Sequence, residues 1–267
     1  MNTAPNHQSS TQSERICAMF DRIAPRYDLL NHLLSFGCDI RWRRKVARNI
    51  PSDEPIDVLD LATGTGDLLI ACLKSGATIG RAIGLDLSQQ MMDVARRKLN
   101  NCVGRPAVEL IRGDACNTGM PDSSFDVITM GFGIRNTPDV ALTLREIFRL
   151  LKPGGSTLIL EFSMPDRPFF KKLYAFYLRH LVPALGALIA RDRTAYRYLN
   201  TSIEAFEAPA AFEKLMQGAG FSSVRTKSLT FGVARIYIGS RPAAEAAPSY
   251  HAPASRKPYA MPAADRR

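Results

Sequence analysis

Short apolar runs alternate with segments of helical spacing through the middle of the chain. Residues 67–74, 88–99 and 138–151 predict helices, the second capped by Ser88 and the third ended by Gly154-Gly155. Strands separated by helices of this length predict a parallel sheet with right-handed crossovers. The runs that predict strands are Ile56–Leu61, Arg81–Leu85, Val108–Ile111, Phe125–Met130 and Thr157–Phe162.

The last third of the chain predicts helices followed by a hairpin. Residues 169–190 are aromatic-rich with helical spacing, interrupted at Pro183, and residues 210–219 predict a further helix. Ser223–Leu229 and Val233–Gly239 flank a three-residue turn and predict an antiparallel hairpin that closes the sheet. The pattern as a whole indicates an α/β fold.

The two ends of the chain differ in composition from the middle. We predict a flexible N-terminus over residues 1–13, one domain over 14–240 and a disordered tail over 241–267, which contains nine Ala and five Pro. The 267 residues, 46% of them apolar, suffice for one domain core. No uncharged stretch reaches 18 residues and the N-terminus lacks an apolar segment, so neither a transmembrane helix nor a secretory signal is expected.

Cysteine usage indicates an intracellular protein. The five cysteines are odd in number and form no C-x-x-C pattern, which argues against a disulfide framework and a zinc site. We therefore expect a cytoplasmic location and no bound metal. The cysteines are Cys17, Cys38, Cys72, Cys102 and Cys116.

The net charge of +10 comes from two segments. Residues 36–50 carry five basic side chains and one acid, and residues 167–197 carry seven and one, which together equal the whole excess. A localised basic face suggests an anionic partner, either nucleic acid or a membrane surface. A solubilising surface without a partner is the alternative.

The first predicted strand leads into a glycine-rich loop with the sequence DLATGTGD at 60–67. Gly64 and Gly66 allow the backbone to approach a ligand closely, while Leu69 stands where a dinucleotide site needs a third glycine. Asp86 ends the second strand, where a carboxylate accepts hydrogen bonds from a ribose diol. The pattern therefore indicates a ribose-bearing ligand and does not require that the ligand contain a pyrophosphate. A tight turn with a surface aspartate is the alternative.

Three further segments follow in order: RGDA at 112–115, FDVI at 125–128 and LKPGG at 151–155. With the glycine loop and Asp86, they make residues 56–162 resemble the class I S-adenosylmethionine-dependent methyltransferases. The resemblance implies a Rossmann-like sheet of seven mostly parallel strands with an antiparallel last strand. It also implies S-adenosylmethionine as co-substrate.

More specific blocks narrow this resemblance. They are the Tyr-Asp-x-x-Asn block at 27–31, RWR at 41–43, GFGIRN at 131–136, EFS at 161–163 and YRYL at 196–199. Over roughly residues 13–240, the chain resembles the ubiquinone/menaquinone biosynthesis C-methyltransferases. The resemblance implies methylation of a ring carbon of a polyprenyl quinol. Demethylmenaquinol and 2-polyprenyl-6-methoxy-1,4-benzoquinol are both open as the substrate.

The resemblance also assigns residues to the co-substrate. Asp86 corresponds to the family's ribose acid, and Asp114 with Ala115 to the pair at the adenine edge, although Asp114 stands where some members carry Asn. Gly131 occupies a position that is Ser in some members, so only its backbone can contribute. The full set is Gly64, Thr65, Gly66, Asp67, Asp86, Asp114, Ala115 and Gly131.

Four residues are candidates for the chemistry. Arg135 is a permanent cation suited to stabilising a phenolate or orienting a water, and Asn136 can bond a ring oxygen. The resemblance places the segment of Tyr27 over the site as an N-terminal helical substrate lid, where Tyr27 can relay a proton or hold the substrate. His32 is a candidate base, since an imidazole titrates near neutral pH. Structural roles remain the alternative: a packed lid for Tyr27, a cap or a buried acid for Arg135 and Asn136, and a hydrogen bond for His32.

The sequence favours a lipid surface over nucleic acid as the partner of the basic face. Gly131-Phe132-Gly133 replaces the polar-Pro-Pro-aromatic block of DNA amino-methylating enzymes, and no cysteine follows Cys116 to serve cytosine-carbon methylation. An apolar stripe beside Lys171, Lys172 and Arg179 predicts an interfacial helix, with a buried helix as the alternative. The stripe consists of Leu173, Tyr174, Phe176, Tyr177, Leu181 and Val182.

Three other functions remain alternatives at this stage. A nicotinamide-dependent oxidoreductase is disfavoured by Leu69. A methyltransferase acting on another small hydrophobic molecule, or a non-catalytic S-adenosylmethionine-binding component of a biosynthetic complex, would also retain Asp86. The sequence does not define an oligomeric state.

Overall fold

Seven strands form a single sheet in the computed structural model, which describes residues 7–51, 54–102, 106, 108–189 and 193–243. The strand order is β3-β2-β1-β4-β5-β7-β6. β7 pairs antiparallel with both β5 and β6, and the other adjacent pairs are parallel. The strands are β1 (Ile56–Leu61), β2 (Ile79–Asp86), β3 (Val108–Arg112), β4 (Phe125–Gly131), β5 (Leu151–Phe162), β6 (Ser222–Leu229) and β7 (Ala234–Ser240).

This topology confirms the expected class I methyltransferase sheet, including the C-terminal hairpin. β1 lies between β2 and β4, so the chain reverses its direction of travel across the sheet at this point. A ligand in an open α/β sheet binds beside the carboxyl ends of the strands at such a reversal. The loops after β1 and β4 are therefore the expected walls of a binding site.

The helices cover both faces of the sheet. Leu68 and Leu69 join the core on one face, and Ile147 and Phe212 join the core on the other. A third apolar cluster holds the N-terminal helix against helices from the last third of the chain. The α-helices are α1 (His7–Leu34), α2 (Cys38–Ala47), α3 (Asp67–Leu73), α4 (Gln89–Asn100), α5 (Val140–Leu150), α6 (Pro168–Phe176), α7 (Val182–Ile189), α8 (Arg193–Ala205) and α9 (Pro209–Gly218).

Local signals placed most helix starts correctly. The Ser88 hydroxyl accepts a hydrogen bond from the Met91 amide at 3.1 Å, which confirms it as the N-cap of α4. The prediction that Gly154-Gly155 ends α5 was wrong, because α5 ends at Leu150 and β5 begins at once. Both glycines lie in an irregular start of β5, where the register to β4 shifts between Phe125 and Val127. Gly154 has φ +83°, a conformation in which a side chain would be strained.

The interruption predicted at Pro183 lies before the proline rather than at it. A single π-helical turn, Tyr177–Leu181, joins α6 to α7, and Pro183 sits in the first turn of α7. Because proline has no N–H and its ring crowds the carbonyl four residues earlier, the preceding turn widens.

The predicted domain boundaries differ from the structure at both ends of the domain. Arg241, which we assigned to the tail, packs into the fold: its Nη1 donates to the Leu151 carbonyl at 2.6 Å and its guanidinium lies 5.2 Å from the centre of the Phe148 ring. The rest of the tail from residue 244 lies outside the described residues. At the other end, α1 begins at His7, so the predicted boundary after residue 13 falls within this helix. No helix among the described residues is long and apolar enough to cross a membrane.

Candidate active site

Two cavities lie side by side at the carboxyl edge of the sheet, beneath α1. One, the loop cavity, is bounded by the loops after β1, β2, β3 and β4. The other, the apolar cavity, has a volume of about 540 Å³ and is enclosed mainly by α1, α2, α6, α8 and the turn between β6 and β7. Phe20, Tyr27 and Phe132 line both cavities, so these three side chains form the wall between them.

Backbone conformation shapes the glycine loop. Gly64 and Gly66 have φ +55° and +80°, and a Cβ at Gly66 would lie 3.2 Å from Cβ of Ala95. Beneath the loop, Asp60 accepts hydrogen bonds from Thr63 and Thr129, both at 2.6 Å, and ties the end of β1 to β4. Burial raises the pKa of Asp60 to about 6. The glycine loop is therefore a turn held in place by buried hydrogen bonds, rather than an unsupported connection at the surface.

Asp86 lies in the wall of the loop cavity with both carboxylate oxygens oriented by backbone. Oδ2 accepts the Gly64 amide and Oδ1 accepts the Ser88 amide, each at 2.8 Å. Burial raises its pKa above the ordinary range, while the two amides favour the charged form. Each oxygen retains a lone pair for a further donor, which is the arrangement a ribose diol requires.

The other predicted co-substrate residues divide into two groups. Gly64, Asp114, Ala115 and Gly131 line the loop cavity with Asp86. A Cβ at Gly131 would lie 3.0 Å from Leu68, so a larger residue would crowd this wall. Thr65, Gly66 and Asp67 line neither cavity.

Thr65 and Asp67 belong to an ion network that joins the loop to α1 and α4. The Thr65 hydroxyl donates to Asp28 of α1 at 2.5 Å. Lys98 of α4 bonds Asp28 at 2.7 Å and also pairs with Asp67. The Tyr-Asp-x-x-Asn block thus contacts the glycine loop through its aspartate, a link that spacing along the sequence does not reveal.

Arg135 lines the apolar cavity, and its charge is paired with a buried acid. Nη1 lies 2.6 Å from Oε1 of Glu161, and both side chains are at most 4% exposed. The same nitrogen donates to the Phe132 carbonyl at 2.7 Å, and Nε lies 3.3 Å from the Ser202 hydroxyl. Burial raises the pKa of Glu161, and the guanidinium opposes this effect. The alternative in which Arg135 binds a buried acid therefore holds, alongside its position at the cavity.

Asn136 and Tyr198 connect the two cavities by hydrogen bonds. Asn136 lines the loop cavity and Tyr198 lines the apolar cavity. The Tyr198 hydroxyl donates to Asn136 Oδ1 at 3.1 Å, and Asn136 Nδ2 donates to the Phe132 carbonyl at 3.2 Å. The amide is thus held between β4 and α8.

Tyr27 and His32, both on α1, have different surroundings. Tyr27 lies in the wall between the cavities, and burial raises the pKa of its phenol, so it remains a hydrogen-bond donor at neutral pH. His32 lines neither cavity. Its Nδ1 lies 2.7 Å from Asp39 and its Nε2 4.0 Å from Asp67.

Asp39 and Arg43 of α2 were not predicted as site residues, yet both line the apolar cavity. Asp39 is paired with Arg43, and the Arg43 guanidinium stands 5.6 Å from the centre of the Phe132 ring. Ligand atoms of His32, Asp39 and Asp67 lie within 4.8 Å of one another, but Arg43 and Lys98 already neutralise the two acids. The RWR block was the signal in the sequence, because an arginine one helical turn after an acid forms an i,i+4 pair.

Comparison with known proteins gives a consistent result. The model of the ubiE/COQ5 methyltransferase family matches residues 8–241. The chain is 46% identical over 224 residues to the demethylmenaquinone methyltransferase of Thermus thermophilus, covering 84% of this chain and all of that protein. It is 40% identical over 237 residues to the ubiquinone/menaquinone biosynthesis C-methyltransferase UbiE of Geobacter sulfurreducens, covering 88% and 91% of the two chains.

Solved structures agree at the level of the fold. A SAM-dependent methyltransferase from Thermotoga maritima matches with a TM-score of 0.59 at 20% identity, covering 85% of this chain and 99% of that one. A SAM-dependent methyltransferase from Aquifex aeolicus matches with a TM-score of 0.54 at 19% identity, covering 74% and 89%. The family match over nearly the whole fold carries the assignment, and the chain belongs to the ubiE/COQ5 methyltransferase family.

Proposed function

We propose that this protein transfers a methyl group from S-adenosylmethionine to a ring carbon of a polyprenyl quinol in menaquinone or ubiquinone biosynthesis. The observation that carries the proposal is the pair of cavities that share the wall of Phe20, Tyr27 and Phe132. One cavity has carboxylates suited to a nucleoside, and the other is apolar and large. The names of the Thermus and Geobacter relatives support the same activity.

The loop cavity fits S-adenosylmethionine by the chemistry of its lining. Asp86 accepts the ribose hydroxyls, and Asp114 with Ala115 faces the adenine edge. The Asp114 carboxylate is fixed by the Cys116 amide, which donates to Oδ1 at 2.8 Å. Gly64 and Gly131 leave room for the methionine part, which supplies the electrophilic methyl when bound.

The apolar cavity fits an isoprenoid-substituted ring. Leu34, Leu178, Val182 and Ile203 contribute aliphatic surface, and polar atoms are a small minority of its lining. A buried apolar tail gains about 25 cal/mol for each Å² removed from water. The polar groups in the lining, including Tyr27, Asn31 and Arg135, give the ring its orientation.

Alignment provides most of the catalytic effect in this arrangement. Methyl transfer from a sulfonium is an in-line displacement with a neutral leaving group, so rigid placement of the ring carbon is the main requirement. Tyr27 keeps its proton and donates a hydrogen bond to a ring oxygen from the wall between the cavities. Arg135, a permanent cation in the lining of the apolar cavity, favours the ionised phenolate form of the quinol hydroxyl, which is the form that makes the ring carbon nucleophilic. Asn136 is held by Tyr198 and the Phe132 carbonyl and fixes this edge of the wall.

The mouth of the apolar cavity has the character of a membrane-docking surface. Large apolar side chains from several separate elements line the cavity and also face solvent. Phe36 follows α1, Phe231 lies in the β6–β7 turn, and exposed Lys171 and Lys172 lie on α6. The exposed apolar set is Phe36, Leu173, Phe176, Leu181 and Phe231. A polyprenyl substrate is dissolved in the bilayer, so this surface brings the cavity mouth to its source.

The predicted interfacial stripe on α6 and α7 divides in two. Leu173, Phe176 and Leu181 are exposed, whereas Tyr174, Tyr177 and Val182 pack against the cluster beneath. Arg43, which we counted in the basic face, is buried in an ion pair. The docking surface is therefore a rim built from several elements. It carries less positive charge than the two basic segments of the sequence have in total.

A direct assay tests the proposed function. Purified protein is incubated under reducing conditions with S-adenosylmethionine and either a short-chain demethylmenaquinol or the demethylated methoxybenzoquinol, and the products are followed by mass. We expect one methyl group on a ring carbon of at least one quinol, and none on the matching oxidised quinone, which lacks the nucleophilic character. Binding of S-adenosylmethionine without methylation of either quinol would contradict the proposal.

A further inference from the structure

A charged cluster of the two N-terminal helices reaches the apolar cavity at one point. Asp39 is 2% exposed, lies 2.7 Å from His32 Nδ1 and accepts a hydrogen bond from Ser35 Oγ at 2.6 Å, besides its pair with Arg43. Among the described residues that line the apolar cavity, Asp39 is the only carboxylate. None of the roles given above uses this group.

C-methylation creates a demand for a proton acceptor in that cavity. When the ring carbon forms its bond to the methyl group, the carbon–sulfur bond breaks and its electron pair stays on sulfur. The ring carbon then carries both a hydrogen and the new methyl group. Aromaticity returns when the C–H electron pair enters the ring and the proton passes to a base. An apolar lining holds little water, so the base must belong to the wall.

We propose that the Asp39 carboxylate accepts this ring proton, an inference that rests on the proposed function. The neighbouring candidates are unsuited: Arg43 and Arg135 are permanent cations, and Tyr27 retains its proton. A carboxylate is a weak base, but the gain in aromaticity makes the ring proton strongly acidic, so a weak base suffices. Burial opposes ionisation of Asp39, yet the Ser35 hydroxyl and the Arg43 charge outweigh it and hold its pKa below the ordinary range, which keeps the acceptor charged.

His32 connects this buried acceptor with water and acts as a positioning residue. Its side chain is 36% exposed, whereas Asp39 is enclosed. The charged groups next to the His32 imidazole are Asp39 and Asp67, and Arg43 and Lys98 pair with these acids. Once Asp39 carries the ring proton, an imidazole in the Nε2–H tautomer accepts that proton at Nδ1 and releases its Nε2 proton to water, which returns Asp39 to the charged form after each turnover.

The test uses a quinol that carries deuterium at the ring carbon to be methylated. Asp39→Asn keeps the size of the side chain and removes the acceptor. We expect kcat to fall about 100-fold or more, and the deuterium isotope effect on kcat to become larger than in the wild type, because loss of the ring proton becomes rate-limiting. A purely structural defect lowers the fraction of active protein equally for both isotopic substrates.

Two controls separate this role from support of the fold. Ser35→Ala removes one hydrogen bond to Asp39 but leaves the carboxylate, so its isotope effect should stay at the wild-type value. His32→Gln keeps a hydrogen-bond donor beside Asp39 and should slow turnover with an increased solvent isotope effect. If Asp39→Asn does not fold, Asp39→Glu, which displaces the carboxylate, should show the same increase in the ring deuterium effect.

A folded Asp39→Asn or Asp39→Glu protein with the wild-type isotope effect overturns the inference. That outcome is distinct from failure of the proposed function, because the wild type would still methylate the quinol in the parallel reaction.

Discussion

Arg135 and Glu161 form a buried ion pair at the wall of the apolar cavity, with Nη1 2.6 Å from Oε1. Glu161 is fully buried on β5, and its carboxylate also accepts the Phe162 amide at 2.8 Å. The guanidinium lies 5.4 Å from the centre of the Phe162 ring. The pair therefore links the strand core to the substrate wall, and any change at Arg135 affects stability together with chemistry.

Removing Arg135 alone should destabilise the protein strongly. Arg135→Met leaves an unpaired carboxylate in the core, and breaking a buried pair in this way costs about 3–5 kcal/mol. Adding Glu161→Gln should restore most of the free energy of unfolding, measured with urea. If Arg135 stabilises developing charge, the double variant should still lose about 10²–10³-fold in kcat, with an unchanged Kd for S-adenosylmethionine. Recovery of kcat together with stability would show that the arginine serves the fold only.

Asp86 should determine the affinity for S-adenosylmethionine. Asp86→Ala removes the acceptor of a charge-assisted hydrogen bond, worth about 1.5–3 kcal/mol, so Kd measured by calorimetry should rise roughly 10- to 150-fold. Because burial raises the pKa of Asp86, wild-type affinity should weaken as pH falls through that raised value. The control is Asp57→Ala, because Asp57 lies near the start of β1, at the end away from the glycine loop. This variant should bind S-adenosylmethionine as the wild type does. An unaffected Asp86→Ala protein would place the nucleoside elsewhere.

Binding to vesicles that contain anionic lipid should depend on the aromatic rim of the cavity mouth. Phe36 and Phe231 have φ +52° and +57°, so Asn is a suitable replacement because it tolerates this conformation. The double variant Phe36→Asn/Phe231→Asn should lose most of its binding in a sedimentation assay. Leu142→Ser changes an exposed leucine on α5, outside the cavity, and should bind as the wild type does. Equal binding of all three proteins would argue against the rim as the docking surface.

More of the fold than of the site could be predicted from the sequence. The positions of the strands and of the helices between them follow from local signals such as the apolar runs and the Ser88 cap, and the seven-stranded sheet follows from the family resemblance. The groups that line the cavities depend on pairs distant in sequence, such as Thr65 with Asp28 and Arg135 with Glu161, which no local pattern encodes. Asp39 illustrates the limit: it precedes a basic segment and was counted only as a charge. Its place at the cavity depends on how α2 packs against the sheet.

We expect Arg241 to be the last residue of the chain that the stability of the fold requires. It donates to the carbonyls of Leu151, Arg149 and Phe148 at 2.6–3.2 Å. Arg241→Ala should therefore lower the free energy of unfolding by about 1.5–3 kcal/mol, the value of hydrogen bonds to a charged group. A chain that ends after Arg241 should unfold at the temperature of the full chain, since the Ala/Pro-rich tail lacks core-forming residues. A large drop in Tm for this truncation would show that the tail contributes to the core.

Asp60 should make the fold less stable as pH rises through the mildly acidic range. Its pKa is raised by burial to about 6 from 3.8, so the folded state binds the proton more tightly than the unfolded chain. The contribution is complete below the unfolded pKa and is lost as pH rises through 6, a change of about 3 kcal/mol. Asp60→Asn does not titrate, so the free energy of unfolding of the wild type minus that of the variant should decrease from pH 4 to 7. Glu109→Gln, an exposed acid on β3, is the control and should parallel the wild type. A difference curve for Asp60→Asn that is flat across this range would show that the carboxyl group titrates equally in both states, and that burial does not outweigh the hydrogen bonds from Thr63 and Thr129, which favour the charged form.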